Sequence, residues 1–327
     1  MITSSLSLRI LHRAHGGDNS KPRPEYYSKL LALAALLRAA DEADAAIELT
    51  FLNDGPMPAE TLQVMERFGQ VVPLLRGGSA ARSYREMLDS DRAKPGHADE
   101  LVWLAEDDYL YRPDALRCLL AGAAAQPDTD YFTLYGSRAL DPERSGRRPA
   151  VRPDPAAQDS DGITFPVGDI HWYRAISTTS TFGIRRRALT EDLRLLRHFP
   201  LTGGAWDSAT CLAVQGYAPF SGQRLRRDLL PIGELPISRW PRSAARGLVR
   251  VASMPLAWRH PGRRRLLMGS DPELITHMEG LGAFTHVPSR RTATIDWATV
   301  ARETAEWGRD HGIPVVNPTP AERPSSA

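Results

Sequence analysis

Cysteine is nearly missing from this chain. Its 327 residues include two, Cys118 and Cys211. Both lie in stretches that read as apolar helix, so two buried thiols are expected rather than a disulfide framework or a thiolate metal site. Long apolar runs are missing too, and nothing approaches the roughly 18 residues that a membrane span needs. The N-terminus lacks a basic start, an apolar stretch and a small-residue cleavage site. No secretory signal is read there, and the expected location is the cytoplasm. No repeat of fixed period is present. No recognised nucleic-acid module is found either, so no nucleic acid partner is expected. A lysine-bearing glycine loop for phosphates is also lacking. Arg13-Ala14-His15-Gly16-Gly17 is a poor version of one, which counts against a nucleotidyltransferase or pyrophosphorylase.

What is present is an ordinary globular composition, 42% hydrophobic and 24% charged, long enough for one large domain. The first half alternates. Strands are predicted at 6–14, 47–52, 70–75, 101–105 and 131–135, with helices at 26–40, 58–68, 79–92 and 113–125. That alternation predicts an α/β, doubly wound, mostly parallel sheet with helices on both faces. The second half is less regular. It reads as a polar loop at 141–161, strands at 169–173, 178–184 and 273–276, and helices at 187–198, 206–215 and 297–311. One domain is expected over 1–315, with halves 1–136 and 137–315, followed by a disordered tail at 316–327.

Charge is uneven. The net charge is +2, but residues 224–265 hold eleven arginines against Asp228 and Glu234. The local +9 leaves −7 for the rest of the chain. Such asymmetry suggests a local anionic partner. The arginines interleave with Leu248, Val251, Met254, Leu256 and Trp258, as in a basic amphipathic surface for anionic lipid, which would place the protein peripherally at the inner face of a membrane. Arg263 and Arg264 are alternatively positioned to close over a diphosphate or an anionic acceptor. A solvated insertion explains the same composition.

Chemistry concentrates at Glu106-Asp107-Asp108, where an apolar strand ends. Three consecutive carboxylates repel one another, and open α/β sheets bind ligands beyond the carboxyl ends of their strands. A hard cation, Mg²⁺ or Mn²⁺, bridging a carboxylate and a diphosphate would compensate the repulsion. A solvated acidic turn beside a helix N-terminus would also do so. Asp54 ends the second strand and falls on the same edge. It reads either as a nucleotide contact or as a turn residue before Gly55-Pro56. His277 is either a metal ligand or structural. Asp207 is either a general base or an N-terminal helix charge.

Several stretches together resemble bacterial glycosyltransferases of the GT-A fold, in the family 2-like group. They are Arg23-Pro24-Glu25-Tyr26-Tyr27-Ser28-Lys29, Trp103-Leu104-Ala105-Glu106-Asp107-Asp108-Tyr109-Leu110, Thr133-Leu134-Tyr135, His171-Trp172, Ser177-Thr178-Thr179-Ser180-Thr181-Phe182, Thr276-His277 and Asp296-Trp297. Their order is kept from about residue 8 to 300. The resemblance implies transfer of a sugar from a UDP- or GDP-sugar to a hydroxyl acceptor, by direct displacement with inversion. It implies that Asp108 binds the metal and that His277 completes the metal site. Arg13, Asp54, Glu106 and Asp107 would hold the nucleotide sugar, and Asp207 would be the base. His171, Trp172 and Trp206 are expected near the acceptor or diphosphate. A metal-dependent nucleotidyltransferase or pyrophosphorylase, and a non-catalytic glycan- or lipid-binding protein on the same fold, are the alternatives.

Overall fold

Strand β1 (Leu8–Ala14) shows why this sheet is covered on two faces. Leu8, Ile10 and Ala14 enter one apolar cluster, while Leu11 enters another. Strand β4 (Leu101–Glu106) repeats the division: Leu101, Trp103 and Ala105 go one way, Val102 and Leu104 the other. Side chains alternate along a strand, so a run that is apolar at every position must bury both faces. The computed structural model describes residues 6–316 apart from 19, 93, 138–164, 231–235, 260 and 280–287. The polar loop expected at 141–161 and nearly all of the expected tail therefore lie outside the described residues.

Among the described residues the main sheet has nine strands, in the order β3-β2-β1-β4-β11-β6-β12-β9-β8. The others are β2 (Ile47–Asn53), β3 (Gln70–Pro73), β6 (Tyr131–Thr133), β8 (Phe165–Val167), β9 (Ile170–Arg174), β11 (Phe182–Arg185) and β12 (Leu267–Asp271). Only β11 and β9 run against the rest, so the sheet is mostly parallel as expected. The two halves of the chain share it, because β11 sits between β4 and β6.

Helices cover both faces. On the first lie α1 (Lys29–Asp41), α2 (Ala59–Phe68), α4 (Ala115–Ala125) and α9 (Trp297–Asp310). Ser28 caps α1, accepting from the Leu31 amide at 3.0 Å, as short hydroxyl side chains do at helix starts. Its leucines and alanines are buried almost all round, and each such leucine contributes on the order of 2 kcal/mol relative to exposure. On the second face lie α3 (Ala80–Arg92), α5 (Arg186–His198) and α6 (Trp206–Val214). Both cysteines are free, Cys211 buried and Cys118 partly so. Among the described residues no helix is long and apolar enough to cross a membrane.

Several sequence expectations need correction. The strand at 178–184 is broken into β10 (Ser177–Thr178), which pairs with β7 (Gly136–Ser137), and β11. Strand β12 was hidden by the arginines before it; it is buried throughout. Trp172 has no surface to offer an acceptor. It is fully buried, edge-on to Phe132 at 5.8 Å and against Gly122. His171, the next residue on β9, points the other way and is exposed.

The basic segment forms α7 (Gly222–Leu229) and α8 (Trp240–Ser253), and part of its charge is internal. Arg250 is buried, pairs with Asp228 and donates to the Thr202 and Gly203 carbonyls at 3.1 Å. Arg259 pairs with Asp192. Arg265 spans Asp130 and Asp192 at 2.9 Å and Glu191 at 2.6 Å. Arg264 lies along Gly216 and is half-buried. Of the residues expected to close over a diphosphate, Arg263 alone is exposed.

Two outcomes follow for stability. Arg265→Ala should destabilise by about 1–3 kcal/mol, because the buried Asp192 and Asp130 each lose one charged donor while keeping Arg259 and Arg187, whereas Arg263→Ala should change little; urea denaturation reads both. The second concerns His12, buried beside Phe51. Burial lowers its pKa to about 4, with Asp107 opposing. The unfolded chain takes up this proton near pH 6.5 and the folded chain near pH 4. Stability should therefore fall as pH drops through that window, by about 3 kcal/mol from this group. His12→Leu should flatten that slope in denaturation curves.

Candidate functional site

The strand register brings the acidic residues to one edge. In the parallel β2-β1-β4 set, Ala14 lies opposite Asn53 and Arg13 opposite Glu106. All three strands therefore end together, and the groups just beyond them share an edge. The Asp54 amide donates to the Ala14 carbonyl at 2.8 Å. The Asp54 carboxylate turns away along that edge and accepts from the Gly78 amide at 2.7 Å. Gly77 packs so closely on it that a Cβ there would collide with Asp54 Oδ1. Asp54 thus fixes the loop between β3 and α3.

After Glu106 the chain makes a turn and enters β5 (Tyr109–Tyr111), which pairs antiparallel with β13 (Ile275–His277). The pairing sets His277 opposite Tyr109, and the two rings stack at 4.7 Å and 9°. The Met278 amide donates to the Asp108 carbonyl at 2.9 Å, extending the ladder by one bond. This small sheet brings Asp108 and His277 together: His277 Nε2 is 3.1 Å from Asp108 Oδ2. Glu279, two residues on, brings Oε1 to 3.6 Å from the same ring nitrogen. Donor atoms of Asp108, His277 and Glu279 lie within 4.8 Å of one another.

Each carboxylate of the triplet, and Glu279, has a cationic neighbour. Glu106 pairs with Arg13, which also donates to Ser83 Oγ at 3.0 Å. Asp107 accepts from Lys29 Nζ at 2.8 Å and from the His15 amide at 2.9 Å. Asp108 lies 3.3 Å from Arg23, whose guanidinium also donates to the Met278 carbonyl and rests over the Tyr27 ring. Lys21 pairs with Glu279. The repulsion read in the triplet is therefore met in large part by the chain's own cations.

The electrostatics differ along the triplet. Burial pushes the Glu106 carboxyl up, against the pull of Arg13. Burial also opposes charge on Asp108, but the hydrogen bond and charge of His277, with Arg23, outweigh it and hold its carboxyl below the usual range. Burial would lower His277, yet Asp108, Glu279 and Glu106 together raise it.

The donor set accommodates a cation. A carboxylate, an imidazole and a second carboxylate converge, and the other oxygen of Glu279, Oε2, is buried without a hydrogen-bond partner. A buried carboxylate oxygen with no donor is a costly arrangement that a cation would relieve. A nitrogen ligand among oxygens suits Mn²⁺ better than Mg²⁺, which favours oxygen and water.

Asp207 sits in the first turn of α6, where its Oδ1 accepts from the Ser208 amide at 2.7 Å. Trp206 packs on the fully buried Tyr84 ring at 4.7 Å. Burial raises the Tyr84 phenol, and Arg13, Glu106 and Asp207 all act on it through their charges. Tyr84 is thus within electrostatic reach of Glu106 and Asp207, and Trp206 packs against it as part of the second core.

No protein-family model and no curated protein sequence matches the chain. Among solved structures it is similar to S. aureus TarS 1–349, at 14% identity and a TM-score of 0.40, covering 76% of this chain and 72% of that one. It is also similar to CMP:2-keto-3-deoxy-manno-octonic acid synthetase complexed with CTP, at 17% identity and a TM-score of 0.36, covering 58% of this chain and 78% of that one. Scores this low carry no weight for what this chain does.

Sequence reading missed Glu279, Lys21, Arg23 and Lys29 as members of the site. Glu279 lies two residues beyond His277, where β13 has already ended, so no strand spacing singled it out. The cations come from the loop and helix start after β1, and only the fold carries them to the triplet.

Asp108 raises His277, so removing it has a signed effect. In metal-free protein, Asp108→Asn should lower the His277 pKa, because burial then meets less opposition. An NMR titration of the imidazole reads the shift, and an unchanged or higher pKa would contradict the pairing.

Proposed function

We propose that the protein is a metal-dependent glycosyltransferase that moves a sugar from a nucleoside-diphosphate sugar, UDP- or GDP-linked, to a hydroxyl acceptor with inversion. The observation that carries this reading is the convergence of Asp108, His277 and Glu279 at the carboxyl edge of the sheet, with the cations Lys21, Arg23 and Lys29 beside it. An acidic cluster ringed by cations matches a ligand that is itself a metal–diphosphate complex. A bound Mn²⁺ or Mg²⁺ would stabilise the charge that develops on the leaving diphosphate.

In this reading Asp108, His277 and Glu279 hold the metal. Lys21, Arg23 and Lys29 offer point charges and a guanidinium fork to phosphate oxygens. Arg13 keeps Glu106 in place, and Asp107 and Glu106 are available to the nucleotide's hydroxyls. Asp54 acts indirectly, by holding the loop after β3. Asp207 takes the acceptor's proton as the hydroxyl attacks the anomeric carbon, while the bond to the diphosphate breaks on the opposite face. The order of the family-like motifs supports the assignment to sugar transfer rather than nucleotidyl transfer, and so does the poor glycine loop at residues 13–17.

Thermal shift separates the parts. UDP or GDP should raise Tm with Mn²⁺ or Mg²⁺ present and not after chelation. Asp108→Ala and Glu279→Gln should each remove that coupling. Asp207→Asn should keep the shift and lower sugar transfer by roughly a hundredfold to ten-thousandfold, the usual range for a general base. A nucleotide shift that survives chelation or Asp108→Ala would sink the metal assignment. Release of pyrophosphate instead of a nucleoside diphosphate would replace sugar transfer with nucleotidyl transfer.

A further inference from the structure

Helix α8 is built inside out for a surface helix. A helix on a soluble protein normally turns its apolar stripe inward and its polar residues to water. Here the buried positions are Ser243, Gly247, Arg250 and Ser253, the small and polar ones. Arg250 at the centre of that face is held by Asp228 and by backbone carbonyls. One outward side is apolar. Pro241, Ala245, Leu248, Val251 and Pro255 recur every three to four residues along one exposed side, and Trp258 follows the short 3-10 turn that continues the helix. Leu248 is 63% exposed and Trp258 73%. At 1.5 Å per residue the stripe is about 25 Å long.

Charge defines what this stripe would meet. Arg239, Arg242 and Arg246 are exposed along one flank of α8, and Arg226 and Arg263 are exposed on the segments either side. Within 222–265 the one acid among the described residues is Asp228, and it is buried under Arg250. Exposed apolar groups bordered by exposed arginines fit a surface with an apolar interior and an anionic skin. A protein partner would need a matching acidic groove, whereas an anionic bilayer offers both layers everywhere.

We infer that α8 and the turn after it form a membrane-docking face, with Leu248, Val251 and Trp258 entering the headgroup boundary of an anionic bilayer and Arg239, Arg242 and Arg246 contacting its phosphates. This is a helix that lies in the interface and does not span it. The inference uses none of the carboxylates of the acidic edge and stands whether or not the protein transfers sugars. It also narrows the expectation from composition: the arginines that matter are the exposed ones on α8, and Arg250, Arg259 and Arg265 are excluded because they hold the fold.

Vesicle co-sedimentation of the full chain tests this. Wild type should pellet with phosphatidylcholine vesicles containing phosphatidylglycerol and stay in solution with phosphatidylcholine alone. Leu248→Ser, Val251→Ser and Trp258→Ser together should abolish pelleting. Arg242→Gln with Arg246→Gln should weaken it roughly thirtyfold, at about 1 kcal/mol per arginine near an anionic surface. All substituted side chains are partly or wholly solvent-exposed or at the helix flank, so Tm should stay within a few degrees of wild type. Trp258 emission should shift to the blue on anionic vesicles, and the shift should vanish in Trp258→Phe. Undiminished pelleting of the apolar triple variant, with equal binding of wild type to soluble polyphosphate, would show simple attraction to polyanions and overturn the inference. So would a wild type that ignores vesicles but forms a dimer the triple variant loses, which would assign the stripe to a second copy of the chain.

Discussion

Each carboxylate of the acidic triplet, and Glu279 beside it, leaves bulk water with a cation next to it, and the arrangement of the candidate site depends on that pairing. Arg13 against Glu106, Lys29 against Asp107, Arg23 against Asp108 and Lys21 against Glu279 are four local solutions to one problem. The cost of taking an ion out of water exceeds what most single contacts return, so the loop carrying Lys21 and Arg23 has little choice of position. His277, joined by Arg23, keeps Asp108 ionised despite its burial. A cation entering between Asp108, His277 and Glu279 would therefore exchange one set of charges for another rather than fill a bare acidic hole.

Much of this was legible in the residue string. Continuous apolar runs such as Leu101–Ala105 announce a strand buried on both faces, and the alternation of such runs with leucine-rich helices gives the parallel half of the sheet. The triplet at the end of β4 falls where sheets of this class place ligands. What could not be read is what depends on distance along the chain. Glu279 is an ordinary residue until β13 pairs with β5. Trp172 looks like a recognition residue until β9 is found deep in the sheet, where an indole of that size fills space against Gly122. Strand β12 follows three arginines, and their charge masks a buried strand.

The arginine-rich stretch divides differently from its composition. A count of charges treats all eleven alike. The fold separates those turned inward, where Asp192, Asp130 and Asp228 neutralise them, from those left on α8. Inward arginine and outward leucine are the reverse of what a helical wheel alone would assign, because the wheel gives faces without saying which one meets the core.

The pairing of β5 with β13 has a consequence in time. The hydrogen bond between Asp108 and His277 spans 169 residues of sequence, and much of the second half of the chain must be made before it can close. Contacts of such separation form late in folding, after the loop between them has been confined. While the chain is still emerging from the ribosome, the acidic edge has Arg13, Lys29 and Arg23 within reach but neither the imidazole nor Glu279. A nascent or prematurely ended chain would hold its carboxylates in check with its own cations and have no completed place for a metal.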